Sequence, residues 1–363
     1  MARNRVIYQS EALFVSDNAS SAATTGHEQI ERVQSANFSY TINRQDVNQF
    51  GNLARIDSIV LDPPTVSVDF SYYLTAGFNE RALGFYVDTG IAQRNFASGH
   101  MIASSGKNIY IATSPEGTDI NNDGVLTTTD TVIGIGNAYV SDYSVDMSVG
   151  SLPTVSLSME GANVNSVASG SGFLTPAIDQ EAGTALGLRV ALPTPDSGIS
   201  TPITALRPGD ITVHLADVDG ETIADLTGTD GAHVQSVSLS LPLSRTPLDR
   251  LGSRFPFARE VDFPVTVSMS VSAIVNETVA MNLTDTLQSG VQNASVILND
   301  ENGAGAIRWD LKGAQVDSES FSTAIGSNQS VDLTLTAQVG GPADTTAGLF
   351  CSGASITEVF GTT

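Results

Sequence analysis

Apolar and polar residues alternate along many short segments of the chain. The order at 65–72 is Thr-Val-Ser-Val-Asp-Phe-Ser-Tyr, and at 266–273 it is Thr-Val-Ser-Met-Ser-Val-Ser-Ala. The segments 155–159 and 331–335 alternate in the same way. A period of two, with β-branched and hydroxyl residues, predicts antiparallel strands that have one wet face. We therefore predict a mainly β fold.

Helical patterns are confined to two short segments. Phe78–Leu83 and Asp285–Gln288 each follow one of the alternating runs and could form a helix of one or two turns. One short flanking helix is therefore expected in each half of the chain.

The alternating segments recur in two blocks. Residues 33–72 align without a gap with 234–273, which lie 201 positions later, and twelve of the 40 positions are identical. A second block, 140–157, recurs 176 positions later at 316–333, in the same order along the chain. Self-similarity of this kind predicts repeated structural units.

The two offsets define the predicted domains. Because the offset falls from 201 to 176, the first copy carries about 25 additional residues between its blocks. We predict two homologous domains, at 1–200 and 201–363, and the Gly, Ala and Ser-rich segment 168–187 as the loosest connection before the second domain.

Two equivalent long loops, Arg44–Asp62 and Arg245–Phe263, separate strands that the pattern predicts to pair. A connection of nearly 20 residues is unusual between paired strands and is often functional. Both loops contain apolar residues, which indicates a contact with a partner. The candidate contact residues are Arg44, Val47, Phe50, Leu53 and Ile56 in the first loop and Arg245, Leu248, Leu251, Phe255 and Phe257 in the second.

Composition narrows the classes of partner. The 363 residues include 16 Lys and Arg against 39 Asp and Glu, which gives a net charge of −23. Such an excess of acid argues against a nucleic-acid-binding surface and against attachment to an anionic membrane. No apolar run is long enough to span a bilayer, and the first residues lack the apolar core of a secretory signal, so folding in a cytoplasm is expected.

Motifs for catalysis are not found in the sequence. The single cysteine, Cys351, excludes an intrachain disulfide, and the four histidines form no metal-binding pair. No nucleophile elbow and no phosphate-binding loop is found. The 39 acids leave a pair of catalytic carboxylates open, although no spacing singles one out. The sequence therefore predicts a protein that is not an enzyme.

One motif points to a metal ion. Residues 119–130 match the Asp-x-Asn-x-Asp-Gly calcium loop, in which Gly124 permits the bend. Position 12 is an aspartate instead of the usual glutamate, and a strand instead of a helix follows, so a hairpin turn is the alternative. No other cofactor is predicted. The possible Ca²⁺ ligands are Asp119, Asn121, Asp123, Val125, Thr127 and Asp130.

The repeated blocks resemble tail tube proteins of long-tailed bacteriophages. The run Val-Gln-Ser-Ala-Asn-Phe-Ser-Tyr at 33–40, followed by Arg44, the long loop and 64–70, carries the resemblance, as does 143–157. The resemblance implies that each domain is a small β-sandwich or barrel with a flanking helix. It also implies that six such domains close into a ring, so that two domains per chain give a homotrimeric, pseudo-hexameric ring.

The same resemblance implies the biological role. Rings would stack through the two long loops into a tail tube, with other tail proteins at its ends, within a virion assembled in the host cytoplasm. DNA would pass through the lumen without specific binding, and we expect acidic residues together with the Ser and Thr faces of the strands to line it. The alternative is a bacterial surface adhesin or a pilus-like β-sandwich subunit with a calcium-binding loop.

Overall fold

The computed structural model describes residues 11–17, 26–61, 63–89, 93–102, 106–114, 119–120, 126, 130–166, 168–169, 172–179, 182–195, 211–217, 222–225, 233–253, 255–274, 291–299, 305–322 and 330–356. Strands dominate these residues, and only two short helices occur among them, which confirms the predicted mainly β fold. The predicted helix at Phe78–Leu83 is present, whereas the one at Asp285–Gln288 lies outside the described residues.

The first part of the chain contains these elements: β1 (Glu11–Asp17), β2 (His27–Ile30), β3 (Val33–Thr41), β4 (Arg44–Val47), β5 (Asp57–Val60), β6 (Thr65–Tyr73), α1 (Phe78–Leu83), α2 (Ser98–Ile102), β7 (Lys107–Thr113), β8 (Thr131–Ser148), β9 (Thr154–Gly161) and β10 (Asn163–Asn165). Five strands of two or three residues follow: β11 (Ala168–Ser169), β12 (Gly172–Leu174), β13 (Ile178–Asp179), β14 (Thr184–Ala185) and β15 (Arg189–Val190).

The remaining strands are β16 (Ile211–Asp217), β17 (Thr222–Asp225), β18 (His233–Pro242), β19 (Arg245–Leu248), β20 (Ala258–Val261), β21 (Thr266–Ile274), β22 (Gln292–Asn299), β23 (Gly305–Ser322), β24 (Ser330–Gln338) and β25 (Gly348–Ile356). All pairings between these strands are antiparallel, as the alternation predicts.

Two layers of sheet form the core. Eight strands in the order β3-β6-β9-β8-β18-β21-β24-β23 make one sheet, which we call the continuous sheet. Two smaller sheets, β2-β1-β7-β8-β10 and β17-β16-β22-β23-β25, are the covering sheets. Apolar side chains of the continuous sheet, such as Val68 and Leu157, share one buried cluster with Val15 and Ile109 of a covering sheet. The structure therefore has the layered architecture of a β-sandwich.

The long strands β8 and β23 belong to both layers. Each pairs with a covering sheet in its first half and with the continuous sheet in its second half. Strands that change sheet need a bend. In β8 the bend follows Asn137, which has a positive φ of 51°, and in β23 it follows Gly313, whose φ is 67°. These two residues lie 176 positions apart, the offset of the second sequence block.

The strand registers recur at the sequence offsets. Ser35 lies opposite Ser71 in the β3–β6 pair, and Ser236 lies opposite Ser272 in the β18–β21 pair, 201 positions later. A β-bulge precedes the serine pair in both ladders. The alignment of the two sequence blocks therefore has a counterpart in the pairing of the strands.

A third pair of ladders locates the additional residues of the first half. Lys107 faces Ala138 between β7 and β8, and Gln292 faces Ala314 between β22 and β23, at offsets of 185 and 176. The offset between equivalent residues of the two halves therefore falls by 16, from 201 to 185, between β6 and β7. It falls by a further 9, from 185 to 176, between β7 and β8. Most of the 25 additional residues consequently precede β7, and only the smaller part lies in the connection with the calcium-like sequence.

The segment that was expected to be a loose connection is partly ordered. Phe173 of this segment is buried against Phe14 and Tyr110 of the first covering sheet, together with Val190 and Leu192, which follow the segment. β12 pairs with β11 and with β15, and β13 pairs with β14. Apolar residues of this segment and of the residues just after it therefore cover the outer face of this sheet, a long-range contact that composition does not reveal.

Asn137 provides a test of the bend in β8. Its side chain donates to the Ile178 carbonyl at 3.2 Å and accepts from the Ile178 N–H at 2.7 Å, while its backbone occupies the left-handed region. Asn137→Ala should cost about 2–3 kcal/mol of unfolding free energy, because both hydrogen bonds are lost and alanine disfavours positive φ. Urea denaturation measures this loss.

Asn137→Gly is the matched control for that test. Glycine accepts the positive φ but makes no side-chain hydrogen bond, so its cost should be smaller than that of alanine. Equal stability of the alanine variant and the wild-type protein would show that the bend does not depend on Asn137.

Candidate functional site

The continuous sheet passes from one half of the chain to the other through a single strand pair. β8 and β18 run antiparallel over residues 142–148 and 236–242. The ladder extends into the following turn, where the Val149 N–H donates to the Gln235 carbonyl at 2.9 Å. We call this β8–β18 pair the seam. It joins two four-stranded units into one sheet.

Two arginines of the second half reinforce the seam. The guanidinium of Arg245 donates to the carbonyls of His100 (2.8 Å) and Arg259 (3.1 Å) and lies over the ring of Tyr139, 4.9 Å from its centroid. The buried Arg259 forms an ion pair with Glu160 at 2.9 Å. Arg245, predicted as a loop contact, therefore holds the two halves together, whereas its counterpart Arg44 is exposed.

One face of the continuous sheet is polar. A row of uncharged polar residues crosses all eight strands, formed by Ser35, Ser71, Ser156, Ser144, Ser240, Ser268, Thr336 and Gln315. The opposite face supplies the core, so this polar face points away from the protein interior. Hydroxyl groups pair directly across strands, for example Ser39 with Ser67 at 2.7 Å.

Acidic residues share this polar face. Strand positions of the face carry the five carboxylates Asp69, Asp142, Asp146, Glu160 and Asp332. No lysine or arginine occupies a position of this face in the strands that the structure describes. The face therefore has negative charge and hydroxyl groups but no cationic strand residue.

The two predicted long loops each contain a pair of short strands and are largely β-hairpins. β4 pairs with β5 and β19 with β20 in registers that differ by 201 positions. Gly51 and Gly252 occupy the turns with φ of 89° and 90°. The Ile56 N–H donates to Val47 at 2.8 Å, and its counterpart, the Phe257 N–H, donates to the equivalent carbonyl at 3.0 Å.

The hairpin tips have large exposed apolar side chains. Phe50 and Leu251, which are 201 positions apart, are fully exposed beside the turn glycines. Of the other predicted contact residues, Phe255 is half-buried and the remaining apolar ones are exposed: Val47, Leu53, Ile56, Leu248 and Phe257. Exposed apolar tips on ordered hairpins are typical of a surface that contacts another protein.

The predicted calcium loop is only partly within the described residues. Asn121, Asp123, Val125 and Thr127 lie outside them. Asp130 is buried and accepts a hydrogen bond from Ser114 at 2.8 Å. Among the described residues, no group of three or more His, Cys, Asp or Glu side chains could hold a metal ion. Calcium binding at 119–130 stays a prediction.

Sequence reasoning missed a buried carboxyl beneath the seam. Glu80 of α1 is fully buried and accepts hydrogen bonds from the hydroxyls of Tyr72 (2.9 Å) and Tyr143 (3.4 Å), the latter a residue of β8. Burial raises the pKa of Glu80 to about 7. The helix is thereby tied to the underside of the seam strand. A single glutamate in a short helical pattern gives no signal of this contact.

Two further side chains lie in the core. Trp309 and Cys351, the single tryptophan and the single cysteine of the sequence, are fully buried in β23 and β25. Across the described part of the chain, no helix is long and apolar enough to cross a membrane.

Comparisons with known proteins find similarity among solved structures. No family model and no curated protein matches the chain. Among solved structures, the chain is similar to the SPP1 tail tube, with 12% identity, a TM-score of 0.27 and coverage of 41% of this chain and 79% of that one. It is also similar to an Hcp protein (13% identity, TM-score 0.24, 38% and 96% covered). A chain of the anti-feeding prophage baseplate is a third neighbour (18% identity, TM-score 0.26, 39% and 98% covered).

Because the pKa of Glu80 is raised, we expect the stability of the protein to depend on pH. Its pKa in the folded protein, about 7, exceeds the ordinary value of 4.5, so the folded state binds the extra proton between these pH values. Stability from this group is therefore present below pH 4.5 and is lost as pH rises through 7. The unfolding free energy of the wild-type protein, measured relative to that of the Glu80→Gln variant, should fall by about 3 kcal/mol as the pH rises through this range.

Urea denaturation of both proteins at pH 5 and pH 8 measures this difference. Glu28→Gln, which neutralises an exposed carboxyl, is the matched control. If the difference in unfolding free energy between the wild-type protein and the Glu80→Gln variant were the same at both pH values, the raised pKa of Glu80 would be contradicted.

Proposed function

We propose that the chain is a structural subunit of a phage-type tail tube, in which copies close into rings and rings stack. The seam carries this proposal, because β8 and β18 continue one four-stranded sheet into an equivalent one. A unit that extends its sheet sideways once can do so again with another copy of itself. This is the function that the sequence resemblance implies.

The recurring registers support a chain of two homologous tube domains, 1–200 and 201–363. In this proposal three chains supply six such domains, and the ring closes with threefold symmetry through one repeated contact. Closure removes the free sheet edges that a single chain would expose. The domain common to both halves needs no metal ion, and a calcium-binding loop at 119–130 would be a feature of the first domain alone.

The polar face of the continuous sheet would line the lumen of such a ring. It carries five carboxylates and hydroxyl groups without a cationic strand residue. DNA-binding affinity depends strongly on Lys and Arg contacts with phosphates. A lumen of this composition would let DNA pass during delivery to the host without holding it, which gives the net charge of −23 a function.

The hairpins would connect one ring to the next. They emerge where β3 and β18 end, and the turn after β8, which holds the exposed Val149 and Leu152, lies at the opposite end of the sheet, beside the start of β18. We propose that the hairpin tips of one ring pack on this opposite end of the next. The tube ends would then present one free apolar surface each to other tail proteins of the virion.

Electron microscopy of the purified chain tests the proposal. Rings or tubes with three chains per ring are expected, because all the proposed contacts are between copies of this chain. A chain that stays monomeric at high concentration would overturn the proposal and favour the adhesin alternative.

Substitutions at the hairpin tips test the stacking contact separately. Phe50→Asp and Leu251→Asp should abolish tubes and leave single rings, because each would bury a charge in the proposed contact. Circular dichroism should show a folded chain, since both side chains are fully exposed. The matched control is Leu188→Asp, at an exposed apolar residue outside the hairpins, which should still give tubes. Tubes of normal length from the tip variants would refute the stacking role.

A further inference from the structure

The continuous sheet ends in two strands that each have one partner. β3 pairs with β6 alone, and residues 315–322 of β23 pair with β24 alone among the described strands. β3 contains no proline and no charged residue, the features that commonly protect a sheet edge from pairing. Residues 315–322 of β23 contain no proline but include two exposed carboxylates, Asp317 and Glu319. Both strands therefore present backbone N–H and C=O groups that can pair with a further strand.

The seam shows how such edges can pair. At the seam, Ser144 lies opposite Ser240 and Val145 lies opposite Leu239. β18 is the counterpart of β3 at the offset of 201, and β8 is the counterpart of β23 at the offset of 176. The seam therefore consists of the counterparts of the two outer strands.

Transfer of the seam register to the outer strands gives a specific set of opposing residues. Ser240 and Ser144 become Ser39 and Ser320, and Leu239 and Val145 become Phe38 and Phe321. In the same register Asn37 lies opposite Ser322, Tyr40 lies opposite Glu319 and Thr41 lies opposite Ser318.

The apolar residues of β3 that this register would pair with another copy are exposed in the single chain. Phe38 and Tyr40 are 37% and 61% exposed, whereas their counterparts in β18, Leu239 and Leu241, are 1% and 0% exposed. Apolar side chains at these equivalent positions are therefore buried in β18 at the seam and exposed to solvent in β3 at the edge of the sheet.

The opposite edge shows the same contrast. Phe321 is 47% exposed, whereas its counterpart Val145 is completely buried at the seam. An edge that retains an aromatic side chain on its core-facing side has the composition of an interface.

We propose that β3 of one chain pairs antiparallel with residues 318–322 of β23 in the next copy, with Ser39 opposite Ser320. This inference rests on the proposed function and adds the partner strand and its register. The register aligns the polar face of both strands and sets Phe38 against Phe321 on the apolar face, as an aromatic cross-strand pair. A slip by one residue would place each phenylalanine opposite a polar residue.

Disulfide cross-linking of the full chain tests the register. Ser39→Cys combined with Ser320→Cys should, after mild oxidation of assembled protein, give covalent dimers and trimers on a non-reducing denaturing gel. Opposing residues of an antiparallel pair lie within disulfide range. The native Cys351 is fully buried and does not compete.

Two matched variants complete the test. Ser144→Cys with Ser240→Cys places the counterpart pair at the seam and should form a bond within one chain, which shows that this position supports a disulfide. Thr41→Cys with Ser322→Cys is four residues out of register, about 13 Å, and should not cross-link.

Each outcome separates the register from the proposed function. Intermolecular cross-links from the Ser39 and Ser320 pair, and none from the out-of-register pair, support the register. If rings are seen and the seam control forms its bond but this pair does not, the register is wrong and the tube function stands. If the unmodified chain forms no rings, both fail. A ladder that stops at a number other than three supports the register and corrects the number of chains per ring.

Discussion

Backbone hydrogen bonding at the edges of the sheet is the constraint on which this architecture depends. A strand at an edge has unpaired N–H and C=O groups, and a sheet of eight strands has two such edges whatever its length. Within the chain, the seam pairs these backbone groups between the two halves. The side chains of Arg245 and Arg259 add further contacts between the halves. Among the described strands, the outer strands β3 and β23 have no equivalent neighbour. A copy of the same chain is the simplest structure that can supply one.

The strands and their faces could be predicted from the sequence because the underlying signal is local. At 65–73 every second side chain is buried, as the period of two requires. The hairpins β4–β5 and β19–β20 were predicted only as long loops, since strands of four residues are too short to show a period. Their exposed apolar tips were nevertheless apparent, because an apolar residue in a polar loop is visible without knowledge of the fold.

The remaining features depend on contacts between distant parts of the chain. Glu80 meets a hydroxyl 63 positions away, and Arg245 meets a carbonyl 145 positions away. Arg44 and Arg245 are equivalent in sequence, yet only Arg245 lies at the seam. The sequence shows that these two residues match. It cannot show which of them has a neighbour, because that depends on where the continuous sheet ends.

The placement of the charged residues bears more directly on ring closure than the total charge does. A net charge of −23 on each chain would oppose ring closure if most of it faced a narrow lumen, because like charges repel across a confined space. On the polar face, however, hydroxyl residues outnumber the five carboxylates, and Glu160 is neutralised by Arg259. Uncharged Ser and Thr keep the face hydrated without adding to this repulsion. In the proposed tube, the serine and threonine content and the lack of cationic strand residues would therefore keep DNA from adhering, while the carboxylates contribute a repulsion that closure can tolerate.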